Sequence, residues 1–221
     1  MIEKDGVSVI ICTYNGSHRI EKTLLKIMQQ VVSAKIHWEV LLIDNASTDG
    51  TAETARKAWK STIPLRIILE PRPGLGNARI RIIHEARYEV IVFLDDDNHL
   101  EENWQRTAFE LMNSLPDVGA MGGLNLAEFE STQPVWFGRF QGSYAVGPQV
   151  VQEGVITAAQ KVLWGAGLVF RRQAFQELEG INFYPLLSGR TKKSYKLARI
   201  LRFVSCCDWR GGSCIILRNC D

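Results

Sequence analysis

Residues 89–98 read EVIVFLDDDN, and this run constrains the chain more than any other. Val90 to Leu94 are all apolar, and several are β-branched or aromatic, so they describe a strand covered on both faces, as in a parallel sheet. The strand ends in three adjacent carboxylates, Asp95, Asp96 and Asp97. Like charges packed at a strand end repel one another, and low-dielectric walls sharpen the repulsion. A hard divalent cation removes that penalty, because carboxylate oxygens are the ligands Mg²⁺ and Mn²⁺ prefer. Open α/β sheets also bind their ligands outside the carboxyl ends of the strands. Asp95 and Asp97 therefore read as a site for a metal ion on a diphosphate. The competing reading is a solvated acidic turn that caps the following helix.

The same pattern recurs upstream. Val7 to Thr13 (VSVIICT) reads as a buried strand, Trp38 to Asp44 (WEVLLID) as a second and Leu65 to Leu69 (LRIIL) as a third. Helical spacing separates them. Ser17 offers an N-cap before Ile20, Leu24, Ile27, Met28 and Val31, and Thr51 to Trp59 and Asn77 to Ala86 read as further helices. After the fourth strand, Glu101 to Leu115 reads as helix. Regular alternation predicts an α/β fold, a mostly parallel central sheet with helices on both faces. From Val118 to Phe183 the alternation stops, and Gly and aromatic residues crowd in, as expected of a binding surface.

A chain of 221 residues suits one domain with a sizeable core. Its formal net charge of +2 gives no argument for a nucleic-acid partner. No apolar run approaches the ~18 residues needed to span a bilayer. Charged Glu3, Lys4 and Asp5 lead straight into a strand, so no signal peptide is expected and the location is expected to be cytoplasmic.

Three polar clusters follow three of the strands: Thr13-Tyr14-Asn15, Asp44 to Gly50, and Asp95 to Asp97. Parallel strands bring such clusters to one edge. There Thr13 and Asp44 can hydrogen-bond a base or ribose while the carboxylates hold a metal. No G-x-x-x-x-G-K-[ST] loop is present, and Gly74-Leu75-Gly76 lacks the third glycine of a dinucleotide fingerprint. Phosphate charge must then be met mainly by metal.

Taken in order, VSVIICTYNGS, WEVLLIDNASTDGT, PGLGNAR, VIVFLDDDN and GAGLVFRR resemble family 2 inverting glycosyltransferases of the GT-A fold, over roughly residues 7–185. The resemblance implies a GT-A type nucleotide-diphospho-sugar transferase fold. It implies a nucleotide-sugar donor contacted by Thr13, Tyr14, Asn15, Asp44, Arg79, Asp95 and Asp96. It implies Mn²⁺ or Mg²⁺ held by Asp97 and Asp95, with Asp97 the direct ligand and Asp95 a ribose contact or second ligand. Asp96 need not touch the metal. Trp164, Gly165, Ala166 and Gly167 resemble the loop where donor sugar and acceptor approach the backbone. The implied acceptor is a glycan or lipid-linked sugar, with peripheral membrane association at the inner face of the plasma membrane.

Plainer readings stand beside these. Cys12 reads as a small buried residue, not a nucleophile. Asp49 and Gly50 shape a turn and cap a helix. Arg79 equally suits a surface ion pair. Trp136 and Trp164 can stack on sugar faces, but core packing is the commoner use of tryptophan.

The chain departs from the family where the catalytic base is expected. The resemblance calls for an acidic G-E-D-like motif shortly after Pro185-Leu186-Leu187-Ser188-Gly189-Arg190, yet no carboxylate occurs between Glu179 and Asp208. Back-translated and read across codon boundaries, Leu197 to Asp221 permits G-E-D-T-E-V-C-Q-L-L-R-L-A-G-W-Q-L-Y-Y-S-P-K-L-R. Loss of one T from TCT-TTA-CAA would then give the observed Ser194-Tyr195-Lys196. The expected organisation is a transferase domain over 1–194, with a nucleotide-sugar-binding half (1–100) and an acceptor half (101–194). Residues 195–221 form an aberrant, frameshifted or disordered tail, leaving the fold incomplete at its C-terminus and the base unknown after Ser194. Two other readings of the tail remain. Cys206, Cys207, Cys214 and Cys220 can bind zinc, although a C-x-x-C pair is lacking. The basic stretch from Arg190 to Arg202 can form an amphipathic helix on a membrane surface.

Overall fold

A computed structural model describes residues 3–148, 154–156, 163–174, 176, 203–205 and 213–217. The Pro185 to Arg190 segment, the basic stretch to Arg202 and Cys206, Cys207 and Cys220 lie outside the described residues.

The four strands expected from the apolar runs are all present. They are β1 (Glu3–Thr13), β2 (His37–Asp44), β3 (Leu65–Leu69) and β4 (Tyr88–Asp95). They lie in the order β3-β2-β1-β4 and are mutually parallel. Between them run α1 (Ile20–Met28), α2 (Thr51–Ala58) and α3 (Leu75–Glu85). Beyond β4 follow β5 (Asn98–Leu100), α4 (Trp104–Ser114), β6 (Ala120–Gly122), β7 (Asn125–Phe129), α5 (Phe137–Phe140), a 3₁₀ turn (Gln141–Tyr144), β8 (Gly154–Ile156), β9 (Leu168–Arg171), β10 (Phe203–Ser205) and β11 (Ser213–Leu217). The main sheet continues from β4 through antiparallel β9 to β6, β10 and β8. A second sheet has the order β5-β11-β7.

Residues of β1 alternate between two cores, because successive side chains leave a strand on opposite faces. Val7, Val9 and Ile11 pack with Ile20, Leu24 and Ile27 of α1 and Trp104, Ala108 and Met112 of α4. Ile10 packs with Leu41, Ile43, Ile91 and Phe93 against Ala78 and Ile82 of α3. Every one of these β1 side chains is fully buried. A single Ile10→Ala change removes about 2–5 kcal/mol of stability.

Local expectations are corrected at both ends of α1 and in the segment after Val118. Helix α1 begins at Ile20 with Arg19, not Ser17, at the cap, and the turn before it is closed by the Gly16 carbonyl, which accepts the Arg19 and Ile20 N–H groups at 2.9 Å. The helix stops at Met28, and Val31 lies beyond it with its N–H on the Glu102 carbonyl at 2.7 Å. The segment from Val118 onward is not irregular throughout, since β6, β7 and β9 fall within it. The segments 203–205 and 213–217 form strands inside the stretch expected to be an aberrant tail.

Candidate functional site

Sheet register explains why the polar clusters meet. Thr13 pairs across from Asp44, and Cys12 from Asp95, so the carboxyl ends of β1, β2 and β4 finish level. A cleft of about 390 Å³ opens there. Its walls include Thr13, Tyr14, Asp95, Asp96 and Asp97, with Arg19, Asn45 and the first turn of α3 closing it.

The middle carboxylate is a brace. Asp96 is 7% exposed. It accepts a 2.6 Å hydrogen bond from Thr13 Oγ1 and two 2.8 Å bonds from Arg19 Nε and Nη2. Its backbone carbonyl accepts a bond from Thr23 Oγ1 at 2.9 Å. A two-pronged guanidinium–carboxylate pair is among the stronger polar contacts available to a protein. The Asp96 bond is the main reason the Arg19 pKa is raised. Gly16 packs so closely that any Cβ would strike Asp96 Oδ2 and Thr13 Oγ1.

With Asp96 tied down, its neighbours carry the open charge. Burial raises the Asp97 carboxyl to about 6, and Asp96 and Asp95 add to the rise while Arg19 opposes it. Burial also raises Asp95, Arg79 opposes, and Asp96 adds. The Asp95 N–H is held by Asn98 Oδ1 at 3.0 Å, which sets the turn that presents both carboxyls. Burial pushes the Cys12 thiol up to about 12, against an opposing pull from Arg79, so this cysteine is a poor nucleophile at neutral pH.

The loops after β1 and β2 clasp one another. Asn15 donates its N–H to Ser47 Oγ and accepts the Thr48 N–H. Asp49 accepts from the Ser17 and Thr51 N–H groups. Burial alone would raise its pKa, but the bonds from Thr51 and Ser17 prevail and hold it well below the usual carboxylate range. Asp49 thus does cap α2, whose N-cap Gly50 has φ +82°. Asp44 Oδ1 accepts the Ser47 N–H at 2.9 Å. Asn45, not Asp44, reaches the cleft wall. The Asn45 amide also bonds the Glu70 and Arg72 carbonyls and the Gly74 N–H. Gly74, at φ +121°, takes a backbone conformation that a side chain would strain.

Arg79 is half-buried. Its guanidinium carbon lies 5.3 Å from the Phe93 ring centroid, and Phe93 stacks on Phe170 at 4.6 Å. Its Nε is buried without a hydrogen-bond partner, and a Cβ at Gly165 would come within 2.6 Å of its Nη2. Arg79 therefore joins the cleft's carboxyl end to the Trp164–Gly167 loop. Ala166 and Gly167 are buried, and Trp164 and Gly165 half-buried.

Arg19 and Asn45 carry no assigned role from sequence. A positive charge some eighty residues before three carboxylates was the only hint of Arg19, and the Asn inside the Asp44–Gly50 turn cluster the only hint of Asn45.

Among the described residues no group of three His, Cys, Asp or Glu is gathered around one point. Two adjacent carboxyls with raised pKa values still suit a divalent cation. Mg²⁺ is commonly held by one or two carboxylates, with waters and substrate phosphates filling its shell.

The open α/β sheet with a carboxylate-lined cleft at its strand ends fits the GT-A fold expected from the sequence, and solved glycosyltransferase structures share that fold. Staphylococcus aureus TarS 1–349 in complex with UDP-GlcNAc matches with a TM-score of 0.67 at 16% identity, over 99% of this chain and 60% of that one. The mannosyltransferase PcManGT from Pyrobaculum calidifontis, in complex with GDP-Man and Mn²⁺, matches with a TM-score of 0.58 at 21% identity, over 96% and 56%. The family profile described as Glycosyl transferase family 2 matches residues 8–179, and the chain belongs to that family. A curated relative, "Putative teichuronic acid biosynthesis glycosyltransferase TuaG" of Bacillus subtilis, is 30% identical over 130 residues, 58% of this chain and 50% of its own length. The chain thus spans half the length of that relative. Among the described residues no helix is long and apolar enough to cross a membrane.

Proposed function

We propose that the chain binds a nucleotide-sugar, in the first instance a UDP-sugar, and serves its transfer to a glycan or lipid-linked acceptor by single displacement at the anomeric carbon. The observation that carries this reading is the level ending of β1, β2 and β4, which gathers Thr13, Tyr14, Asp95 and Asp97 around one cleft. The exposed Tyr14 ring offers a stacking surface for the base. Thr13 and Asn15 shape the base pocket through their loop bonds. Asp44 does not line the cleft, and with Oδ1 on the Ser47 N–H its second carboxylate oxygen is the acceptor proposed for a base that reaches past Asn45. Asp95 and Asp97 would hold Mn²⁺ or Mg²⁺, and Asp96 keeps their turn in place. When bound, the metal supplies positive charge to the leaving diphosphate. Arg79 adds charge on the donor side, and Gly165 to Gly167 let the sugar approach the backbone. The UDP-GlcNAc complex of TarS and the GDP-Man and Mn²⁺ complex of PcManGT support a nucleotide-sugar and a metal.

The catalytic base is unassigned in 1–194, the proposed transferase domain, with 1–100 as its donor half and 101–194 as its acceptor half. The tail 195–221 is read as frameshifted, with the G-E-D-like motif displaced from its frame. The setting is cytoplasmic, at the inner membrane face. The missing carboxylate favours a second reading, a nucleotide-sugar-binding module without turnover. Titration calorimetry with UDP, with and without Mn²⁺, beside a transfer assay tests both. The expected result is Mn²⁺-dependent UDP binding that Asp97→Asn weakens, with turnover near background. Binding that ignores both Mn²⁺ and Asp97 sinks the metal-diphosphate reading, and turnover comparable to that of a longer relative sinks the impaired-base reading.

A further inference from the structure

Residues 134–146 form an exposed aromatic face that the donor cleft does not use. Trp136 is 46% and Phe140 48% exposed, and Val135 is fully exposed. Trp136 at the cap of α5, Phe140 at its last residue and half-buried Tyr144 of the 3₁₀ turn gather their rings together. Their ring centroids are 6.4 Å (Trp136–Phe140) and 6.0 Å (Trp136–Tyr144) apart. Phe137, 3% exposed, lies beneath them in a small core with Val146 and Ala166, its ring 6.3 Å from Trp136 and 5.8 Å from Tyr144.

That small core ties the face to the donor side. Ala166 precedes Gly167 in the loop whose Gly165 abuts Arg79. Asn125 Nδ2 bonds the Ala145 carbonyl at 3.0 Å and the Ala166 carbonyl at 3.4 Å, locking the aromatic segment to the loop. A ligand lying across Trp136 therefore borders the place where the donor sugar is expected.

Charge decides between ligands. Across residues 125–148 the charged side chains are Glu128, Glu130 and Arg139, so the region has no basic excess to hold an anionic lipid surface or a polyphosphate. The rim is mostly neutral and hydrogen-bonding instead, with exposed Thr132, Gln133, Gln141 and Ser143 around the rings and Arg139 lying 5.7 Å over the Phe140 ring. Flat rings edged by amides and hydroxyls match the apolar faces and equatorial hydroxyls of pyranose rings. We propose that Trp136, Phe140 and Tyr144 form the platform that binds a neutral glycan chain as acceptor, with Trp136 its principal stacking residue. This inference rests on the transferase reading above for the word acceptor, but not for the binding itself.

The test uses the full chain and two probes, hexasaccharides of β-1,4-linked glucose and of β-1,6-linked N-acetylglucosamine, followed by saturation-transfer NMR and calorimetry. The expected result is binding of at least one hexasaccharide, weakened about ten-fold or more in Trp136→Ala. Trp136→Tyr retains most of it, and Gly138→Ala, whose added Cβ meets nothing within 4 Å, leaves it unchanged. Mn²⁺-dependent UDP binding, measured on the same samples, stays as in the parent and reports intact folding. No hexasaccharide binding, or binding indifferent to Trp136→Ala, overturns the platform. So does binding to phosphatidylcholine–phosphatidylglycerol vesicles that falls with the same substitution. The two readings fail separately. Trp136-dependent glycan binding without UDP binding refutes the transferase reading alone, and UDP binding without Trp136-dependent glycan binding refutes the platform alone.

Discussion

Replacing Arg19 by Met tests whether the cleft is held together by its middle carboxylate. The side chain keeps its length and apolar stem but loses the two 2.8 Å bonds to Asp96. Asp96 then keeps only the Thr13 hydroxyl and backbone neighbours, beside Asp95 and Asp97. Removing one partner of a buried pair costs about 3–5 kcal/mol, because a charge is left uncompensated. Arg19 is 23% exposed at its side chain, so water recovers part of that, and about 2–3 kcal/mol is expected. For a chain of this size the loss lowers Tm by about 4–12 °C. Asp96→Asn should cost less, since an amide still accepts from Thr13 and the charge left unpaired, on Arg19, is partly exposed to water. The double variant should be less destabilised than the sum, by at least about 1 kcal/mol. Urea unfolding of the four proteins at pH 7 gives the cycle. An Arg19→Met chain within about 0.5 kcal/mol of the parent, or additive singles, refutes the brace.

Three more outcomes follow from the same geometry. Asp97, raised to about 6 by burial, binds more protons folded than unfolded between its ordinary value and 6. Its contribution therefore favours the metal-free fold at low pH and is lost as pH rises through about 6. Mn²⁺ competes with that proton, so Mn²⁺-dependent stabilisation, read by Tm shifts at pH 5 and 7.5, should be small at pH 5 and large at pH 7.5; equal shifts at both refute the Asp97 assignment. Gly16→Ala drives a methyl into Asp96 and Thr13 and should cost about 1–3 kcal/mol in urea unfolding, whereas a neutral change contradicts the packing. Sequencing the coding DNA across codons 190–221 should show that one added base restores the G-E-D-like string; codons that forbid it leave the tail genuine.

The donor side was legible because its signals are local and long. Uninterrupted apolar runs such as Val90 to Leu94 fall inside strands, here β4, and the polar residues that end β1, β2 and β4 reach one edge because parallel strands run level. Contacts between distant loops left no such trace. Arg19 meets Asp96 across 77 residues, and no spacing rule announces that. Ser17 looked like a cap, but the Gly16 carbonyl takes the first N–H groups of the turn and the helix starts at Ile20. The strands β6 and β9 have three and four residues, too short for periodicity to declare, and they are held by pairing with each other and, for β9, with β4. Arg171, at the end of β9, bonds the Met112, Leu115 and Val118 carbonyls and so closes the C-terminus of α4, a role invisible in GAGLVFRR alone.

The most direct measurement is anomalous diffraction from crystals grown with Mn²⁺ and UDP. The account predicts one manganese peak within about 2–2.5 Å of an Asp97 oxygen and of the diphosphate, with Asp96 still on Arg19 and Thr13. UDP bound in the cleft with no manganese at Asp97 or Asp95, or manganese on Asp96 in place of Arg19, contradicts it.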